Sequence, residues 1–242
     1  MSKVIAIANF KGGVGKTTST LNIGAGLSIL GKKVLLIDLD PQYNLTQSIG
    51  IDEPQRSIYH ALRGDEPLQP EKVREGLDII TSSIDLIRAE LELSGVYQRE
   101  QVLEKLLQPI REDYDYILID CPPSLGVLTF NAFTAADLIY IPIEAEFLAL
   151  KGYSILNETL ESVGLQIDKV FITKYDRRKV LNRSVLDSIK QTMKDKAFKT
   201  VVRENVTLAE TPAVGMDVFS YDATSAGAED YMNLCKEIIE NN

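Results

Sequence analysis

Residues 4–18 constrain the fold of this chain most strongly, because an apolar run passes there into a glycine-rich turn and then into a helical pattern. Residues 4–8 are all apolar, which is typical of a buried parallel strand. The apolar positions after Thr17 recur at helical spacing, so a helix is predicted to follow the turn. A strand, a glycine-rich loop and a helix in this order form a binding site for a polyphosphate.

The side chains of the turn indicate how a nucleotide would be held. Glycines lack Cβ, so the loop can curl with its N–H groups facing a polyphosphate, and the helix N-terminus adds partial positive charge. We expect Lys16 to contact the β- and γ-phosphates and the Thr17 hydroxyl to ligate Mg²⁺. The predicted cofactors are therefore ATP or ADP with Mg²⁺. The candidate nucleotide-binding residues of the loop are Lys11, Gly12, Gly13, Val14, Gly15, Lys16, Thr17 and Thr18.

One position of the loop departs from the general Walker A pattern. That pattern has a glycine five residues before Gly15, where this chain has Phe10, and a second lysine, Lys11, comes next. The loop with two lysines resembles the deviant Walker A of the ParA/MinD family of P-loop ATPases, and the resemblance extends from residue 1 to about residue 240. It implies an ATP-dependent homodimer in which Lys11 reaches the phosphates held by the partner subunit. Lys11 and Lys16 are accordingly catalytic candidates.

Carboxylates follow two further apolar strands, predicted at residues 33–38 and 114–120. Ligands gather at the carboxyl ends of strands in an open parallel sheet, so these side chains should lie beside the phosphate loop. Asp40 is predicted to orient or deprotonate the attacking water, and the resemblance also makes it the catalytic aspartate. Asp38 either shares this chemistry or only organises its loop. The candidate metal ligands are Thr17, Asp40 and Asp120.

Strands that alternate with helices along the chain predict an α/β fold with a doubly wound, mostly parallel sheet and helices on both faces. This is the architecture of a P-loop NTPase of the deviant Walker A type. The chain has 242 residues, which fits a single ATPase domain over residues 1–242. Residues 50–76 are predicted to be a surface excursion, residues 98–110 an amphipathic helix, and Ser82 with Ser83 a helix cap.

Composition favours a cytoplasmic protein without membrane attachment. No apolar run approaches the roughly 20 residues that span a bilayer, and no room for a secretory signal precedes the first strand. A membrane-positioning ATPase of the MinD type would end in a basic amphipathic helix, whereas this chain ends in an acidic one. An iron–sulfur carrier would need a cysteine pair, and Cys121 has no Cys-x-x-Cys companion.

Positive charge is concentrated in one zone of this acidic chain. Residues 169–203 contain eleven Lys or Arg and three Asp, a net charge of +8, and the other residues sum to −17. Few aromatic residues accompany these cations, which favours phosphate contacts on duplex DNA without sequence reading. The alternative is that the lysines only solvate a helix face. The candidate DNA-binding residues are Arg177, Arg178, Lys179, Arg183 and Lys199.

The family resemblance implies partners as well as chemistry. Arg178 corresponds to a DNA-contacting arginine of chromosomal ParA proteins, while a second such position holds Thr207 here. Arg203 corresponds to a nucleotide-binding position near the adenine. We therefore expect nonspecific duplex DNA binding, association with the nucleoid in the ATP-bound state, and slow ATP hydrolysis stimulated by a ParB-like partner during chromosome or plasmid segregation. A cargo adaptor, with a protein assembly as the cargo, is the alternative that the missing arginine keeps open.

Overall fold

The computed structural model describes residues 2–241. Its strands are β1 (Lys3–Ile7), β2 (Val34–Asp38), β3 (Glu71–Arg74), β4 (Leu77–Ile80), β5 (Tyr116–Asp120), β6 (Leu138–Glu144), β7 (Lys169–Tyr175) and β8 (Ala197–Arg203). Its α-helices are α1 (Lys16–Ile29), α2 (Asn44–Ser48), α3 (Ile58–Arg63), α4 (Leu86–Leu93), α5 (Val102–Leu107), α6 (Val127–Ala135), α7 (Ala149–Ser162), α8 (Val180–Met193), α9 (Val206–Glu210), α10 (Val218–Asp222) and α11 (Ala226–Asn241). Single 3₁₀ turns occupy Arg99–Gln101, Arg111–Asp113, Lys194–Lys196 and Thr211–Val214.

The strands form one eight-stranded sheet in the order β3-β4-β2-β5-β1-β6-β7-β8. Strand β3 runs antiparallel to β4, and every other neighbouring pair is parallel. Strand β1 lies in the interior of the sheet. Strands β2 to β5 lie on one side of it, and strands β6 to β8 lie on the other side. The predicted doubly wound, mostly parallel sheet is confirmed.

Helices cover both faces of the sheet because successive side chains of a strand point to opposite sides. On β1, Val4 and Ala6 belong to the core shared with α5 to α8, whereas Ile5 and Ile7 belong to the core shared with α1 and α11. All four of these side chains are fully buried. Burial on both faces explains why the central strands read as continuous apolar runs.

Some predicted element boundaries are wrong. Strand β3 lies inside the predicted surface excursion, and its exposed charged residues are typical of a protected sheet edge. The predicted helix at 98–110 is instead a 3₁₀ turn followed by α5. The side chain of Asn131 hydrogen-bonds to the backbone at this junction. Its oxygen accepts from the Leu103 N–H at 3.0 Å, and its amide donates to the Arg99 carbonyl at 2.7 Å. The predicted cap Ser82 is not a cap, since its hydroxyl donates to the Asp40 carbonyl at 2.7 Å.

The parallel pairing brings the carboxyl ends of three strands together. Strand β5 lies between β1 and β2, and its Asp120 is in register with both Ile7 and Asp38. The loop after β1, the acidic end of β2 and the acidic end of β5 therefore meet at one edge of the sheet. This edge positions the candidate site.

Close packing of α1 on α11 gives a test of the fold. A Cβ added at Gly26 of α1 would lie 2.6 Å from Cys235 Sγ, whereas one added at Gly152 of α7 would meet no atom within 4 Å. We expect Gly26→Ala to lower the free energy of unfolding by about 1–2 kcal/mol, because overpacking typically costs more than alanine returns in helix propensity. Gly152→Ala should raise it by up to about 1 kcal/mol. Urea denaturation measures both, and equal stabilities would contradict the helix packing described here.

Candidate nucleotide site

The loop between β1 and α1 has the shape of a phosphate cradle. Gly13 and Gly15 have φ angles of +74° and +89°, a conformation that favours glycine. A Cβ added at Gly12 or Gly13 would meet no atom within 4 Å, so open space lies in front of the loop. Helix α1 begins after Gly15 without a side-chain cap, and its first turn carries no acidic residue. The free N–H groups of this turn are therefore available to an anion.

Two residues of the first turn of α1 lie against the buried carboxylate of Asp120. The Thr17 hydroxyl donates to Asp120 Oδ2 at 2.7 Å. Lys16 is 7% exposed, and its positive charge acts on the same carboxylate. Lys16 and Thr17 also line a cavity of about 440 Å³ together with Asp40 and Pro123. The cavity thus brings together Lys16, Thr17 and Asp40, whereas the fully buried Asp120 is linked to it through its hydrogen bond with Thr17.

The loop after β2 is organised by Asp38. The fully buried Asp38 carboxylate accepts hydrogen bonds from the Asp40 N–H at 3.2 Å, the Thr46 N–H at 2.9 Å and the Thr46 hydroxyl at 2.7 Å. Of the two interpretations left open for Asp38, these contacts favour the organising one. The carboxylate of Asp40 accepts from the Gln42 N–H at 2.9 Å and lines the cavity.

Sequence reasoning missed that Ser82, two residues after the end of β4, joins this network. Its hydroxyl holds the Asp40 carbonyl, and its N–H donates to Thr46 Oγ1 at 3.0 Å. The loop that carries Asp40 is therefore fastened to β2 and to the segment that follows β4. A serine pair beside a strand end could have indicated such a contact, but the same pair is equally typical of a helix cap.

Burial is the main cause of the raised pKa values of the two carboxyl groups at the strand ends, Asp38 and Asp120. Loss of hydration raises the pKa of Asp38 to about 7, although the bonds from Thr46 oppose this shift. Burial, followed by the neighbouring charge of Asp38, raises the pKa of Asp120 well above its ordinary value, while Thr17 and Lys16 act in the opposite direction. Additional positive charge at this edge would stabilise both ionised carboxylates.

The residues fit a magnesium–nucleotide complex better than a metal held by protein alone. Among residues 2–241, no group of three or more His, Cys, Asp or Glu side chains is placed to hold a metal ion. Thr17 and Asp120 do present hard oxygen donors beside the phosphate cradle, which is the donor type that Mg²⁺ prefers. In such a site the phosphates and water complete the coordination.

Lys11 lies apart from Lys16, on the open side of the cradle. Its side chain is 51% exposed, and its Nζ lies 3.1 Å from Glu144 Oε2 and also contacts the Glu146 carboxylate. Hydrogen bonding to Lys11 lowers the pKa of Glu146. The two lysines of the loop thus have different surroundings: Lys16 faces the phosphate cavity of its own chain, and Lys11 faces outward.

A second cavity, of about 430 Å³, continues from the phosphate cavity. Both cavities are lined by Gly15, Thr18 and Lys174, and the second also by Leu208 and the ring of Tyr231. Its position beside the phosphate cradle and its apolar walls suit a nucleoside. Lys174, which sequence reasoning assigned only to the basic zone, has a φ of +51° and is a further candidate here.

Two of the predicted nucleotide-binding residues, Arg203 and Val14, present other atoms than expected. Arg203 lines the second cavity, while its guanidinium is engaged by Asp230, with the Nε to Oδ2 distance at 2.9 Å. These bonds, followed by those of Glu229, raise the pKa of Arg203. Val14 is 1% exposed, and its carbonyl accepts from the Thr173 hydroxyl at 2.8 Å, so it offers a ligand only its N–H.

The five predicted DNA-binding residues do not form one surface. Arg178 is paired with Asp176 at 2.9 Å and Lys179 with Glu204 at 2.8 Å, while Arg183 donates to the Arg177 carbonyl. These four residues follow the carboxyl end of β7. Lys199 lies near the start of β8, at the opposite end of the sheet.

Fold and site together define a P-loop NTPase, and comparison with known proteins identifies the family. The family profile described as "AAA domain" matches residues 2–173. Together with the relatives below, this match shows that the chain belongs to the ParA/Soj-type partition ATPases. It is 43% identical to the sporulation initiation inhibitor protein Soj of Bacillus subtilis, with 100% of each chain covered. It is 42% identical to the chromosome partitioning protein ParA of Caulobacter vibrioides, with 98% of this chain and 94% of that protein covered.

A solved structure with a bound nucleotide shares this fold. Cobyrinic acid a,c-diamide synthase of Mycobacterium smegmatis, bound to ADP and magnesium, is 33% identical and superimposes with a TM-score of 0.86, covering 100% of this chain and 95% of that one. ATP hydrolysis is the reaction class of the family to which the present chain belongs. Among residues 2–241, no helix is long and apolar enough to cross a membrane.

Burial of Asp38 predicts how stability depends on pH. Between its ordinary pKa of 3.8 in the unfolded chain and about 7 in the folded chain, the folded state binds more protons. The free energy of unfolding of the nucleotide-free protein should therefore fall as pH rises through this window, and Asp120 contributes in the same direction.

Urea denaturation across this pH range measures the dependence. We expect Asp38→Asn to reduce the slope and the matched substitution of an exposed residue, Asp52→Asn, to leave it unchanged. A slope that persists in full in Asp38→Asn would show that other groups cause it.

Proposed function

We propose that this partition ATPase is an ATP-dependent dimerisation switch that binds nonspecific duplex DNA and releases it after slow hydrolysis. The observation that carries the proposal is the separation of the two loop lysines. Lys16 is buried at the phosphate cradle, whereas Lys11 is half exposed. Within residues 2–241, the ammonium of Lys11 pairs only with the partly buried Glu144 and the exposed Glu146. Exposed ion pairs of this kind contribute little stability. Lys11 is therefore free at small cost to reach phosphates held by a second copy.

The chemistry assigned to the site is Mg²⁺-dependent hydrolysis of ATP. Thr17 and Asp120 would hold Mg²⁺, which supplies neutralisation of phosphate charge when bound. Lys16 and the N–H groups of residues 12–18 hold the β- and γ-phosphates, and Lys11 of each subunit adds positive charge to the partner's site. Asp40, held by its bond from Gln42 and by Ser82, positions the water and accepts its proton.

The remaining roles follow from the family and from the basic zone. We assign the nucleoside to the second cavity, with Arg203 as part of its wall, and residues 1–242 to one ATPase domain. The DNA-facing candidates remain Arg177, Arg178, Lys179, Arg183 and Lys199. A ParB-like or cargo-adaptor protein would stimulate hydrolysis, and the ATP-bound dimer would be associated with the nucleoid. The cycle requires only that ATP binds the dimeric state more tightly than the monomeric one.

The two loop lysines should differ in the step that they support. Lys16→Ala is expected to weaken ATP binding severely, because the buried cation of the cradle is lost. Lys11→Ala should retain ATP binding and lose ATP-dependent dimerisation, because its side chain lies outside the cavity of its own chain. Nucleotide titration and analytical ultracentrifugation distinguish these outcomes. Equal loss of ATP affinity in both variants would contradict the division of roles.

The experiment that tests the proposed function is duplex-DNA binding by the full-length Asp40→Ala protein with ATP and with ADP, across a salt series. This variant should bind ATP and dimerise while hydrolysis fails, since only the water-positioning carboxylate is removed. Its DNA binding should require ATP, ignore sequence and weaken with salt. Normal turnover would remove Asp40 from its role, and absence of DNA binding with either nucleotide would refute the DNA-dependent part of the cycle.

A further inference from the structure

A groove of about 830 Å³ lies at the end of the sheet opposite the nucleotide site. It runs between the last turn of α8, the start of β8 and the last turns of α11. Five lysines line it and no arginine does: Lys169, Lys190, Lys194, Lys199 and Lys236. We name this feature the lysine groove.

The lysines of the groove keep their charge available, in contrast to Arg178 and Lys179 among the predicted DNA-binding residues. Within residues 2–241, none of the five has a carboxylate within 4 Å, whereas Arg178 and Lys179 each have one. Lys169 alone is partly engaged, since its Nζ donates to the Asp195 carbonyl and to Asn241 Oδ1.

Three acidic residues also line the groove: Asp195, Glu237 and Glu240. Glu237 is occupied by the backbone, because its carboxylate accepts from the N–H groups of Lys199 at 2.7 Å and Thr200 at 3.0 Å. The lining still has a formal net charge of +2 on a chain whose total is −9. The groove therefore attracts a polyanion although the chain as a whole is acidic.

The chemistry of the groove fits the backbone of duplex DNA. Lysines are compact point charges that contact phosphates without reading bases. The one aromatic ring of the lining, Phe198, is 2% exposed and cannot stack on a base. Lys190 lies in the last turn of α8 and Lys194 directly follows that helix, so both can face one DNA strand in the groove.

The position of the groove keeps it accessible in a nucleotide-bound dimer. Strand β7 begins at Lys169 in the groove and ends beside Lys174 at the nucleotide cavities, a length of about 20 Å. If two chains meet through their nucleotide faces, their lysine grooves lie at the outer ends of the dimer. ATP-dependent dimerisation then gives one molecule with two weak DNA-binding grooves, and neither groove has to change its conformation.

We infer that the lysine groove is a phosphate-backbone binding site for duplex DNA and that ATP strengthens DNA binding by pairing two such grooves. This inference rests on the proposed ATP-dependent dimer. It differs from the earlier assignment in placing the essential contacts on α8 and α11, away from the turn that contains Arg177 and Arg178. It also makes the effect of ATP depend on DNA length.

The test uses the full-length Asp40→Ala protein and two further pairs of substitutions made in it. Lys190→Gln with Lys236→Gln removes one exposed lysine from each wall of the groove. Lys72→Gln with Lys105→Gln is the matched control, because it removes the same charge from two exposed lysines elsewhere. DNA affinity is measured with ATP and ADP, over a salt series, on duplexes of about 15 and about 500 base pairs.

Neutralising the groove should weaken binding to the long duplex roughly tenfold or more at moderate salt. The magnitude of the salt slope should fall by about 2 for each engaged groove, and therefore by about 4 for the ATP-bound dimer, since about one unit is lost with each phosphate contact. ATP should strengthen binding of the parent to the long duplex and have little effect on the short one. ATP affinity and dimerisation should be unchanged in both double variants.

Three results would overturn the inference. If the groove variant matches the control while Arg177→Gln with Arg178→Gln abolishes binding, the DNA surface is the turn after β7. If polyglutamate displaces the DNA at equal charge concentration, the groove binds an acidic protein. If ATP strengthens short-duplex binding equally, pairing of grooves is not its mode of action. A parent protein that binds no DNA under any condition would refute the proposed function itself.

Discussion

Negative charge buried at the carboxyl ends of β2 and β5 is the constraint on which the site depends. Asp38 and Asp120 are register partners on adjacent strands, and both are fully buried. Carboxylates placed so closely and without water are stable in ionised form only with hydrogen bonds and cations beside them. Thr46 and Thr17 supply the hydrogen bonds, and Lys16 supplies one cation. A bound Mg²⁺ would add the further positive charge that stabilises both carboxylates in their ionised form.

The central fold could be predicted from the sequence because its signals are local and strong. Strands buried on both faces read as uninterrupted apolar runs, as in residues 4–8, and the glycines that require positive φ angles mark the cradle directly. The errors occur where long-range contacts override local pattern. The segment 98–110 has a helical period, but a single buried amide, Asn131, divides it. Strand β3 has no apolar alternation, because it is an exposed edge paired on one side.

The candidate site likewise contains residues that local sequence predicts and contacts that only the fold reveals. Gly15, Lys16 and Thr17 could be placed from their neighbours in sequence, since one loop and one helix terminus define them. The contact of Ser82 with Asp40 joins residues 42 positions apart and leaves no local signal. The same limit applies to charge: the sequence counts cations in the basic zone, but it does not show that Arg178 is paired and Lys190 is not. A cation in a salt bridge attracts a polyanion less than an unpaired cation does, and only the fold determines which cations form salt bridges.

The two ends of the sheet suggest how one chain can couple ATP to DNA without an internal transmission pathway. An effector alters the affinity of a second ligand only through states that both ligands distinguish. Helix α8 and strand β8 are packed into the core through Ile189 and Phe198, so the groove has no evident second conformation. The state that changes is then the oligomer, formed at the nucleotide edge and sensed by DNA at the opposite edge. Hydrolysis would lower DNA affinity by separating two grooves, each of which remains intact.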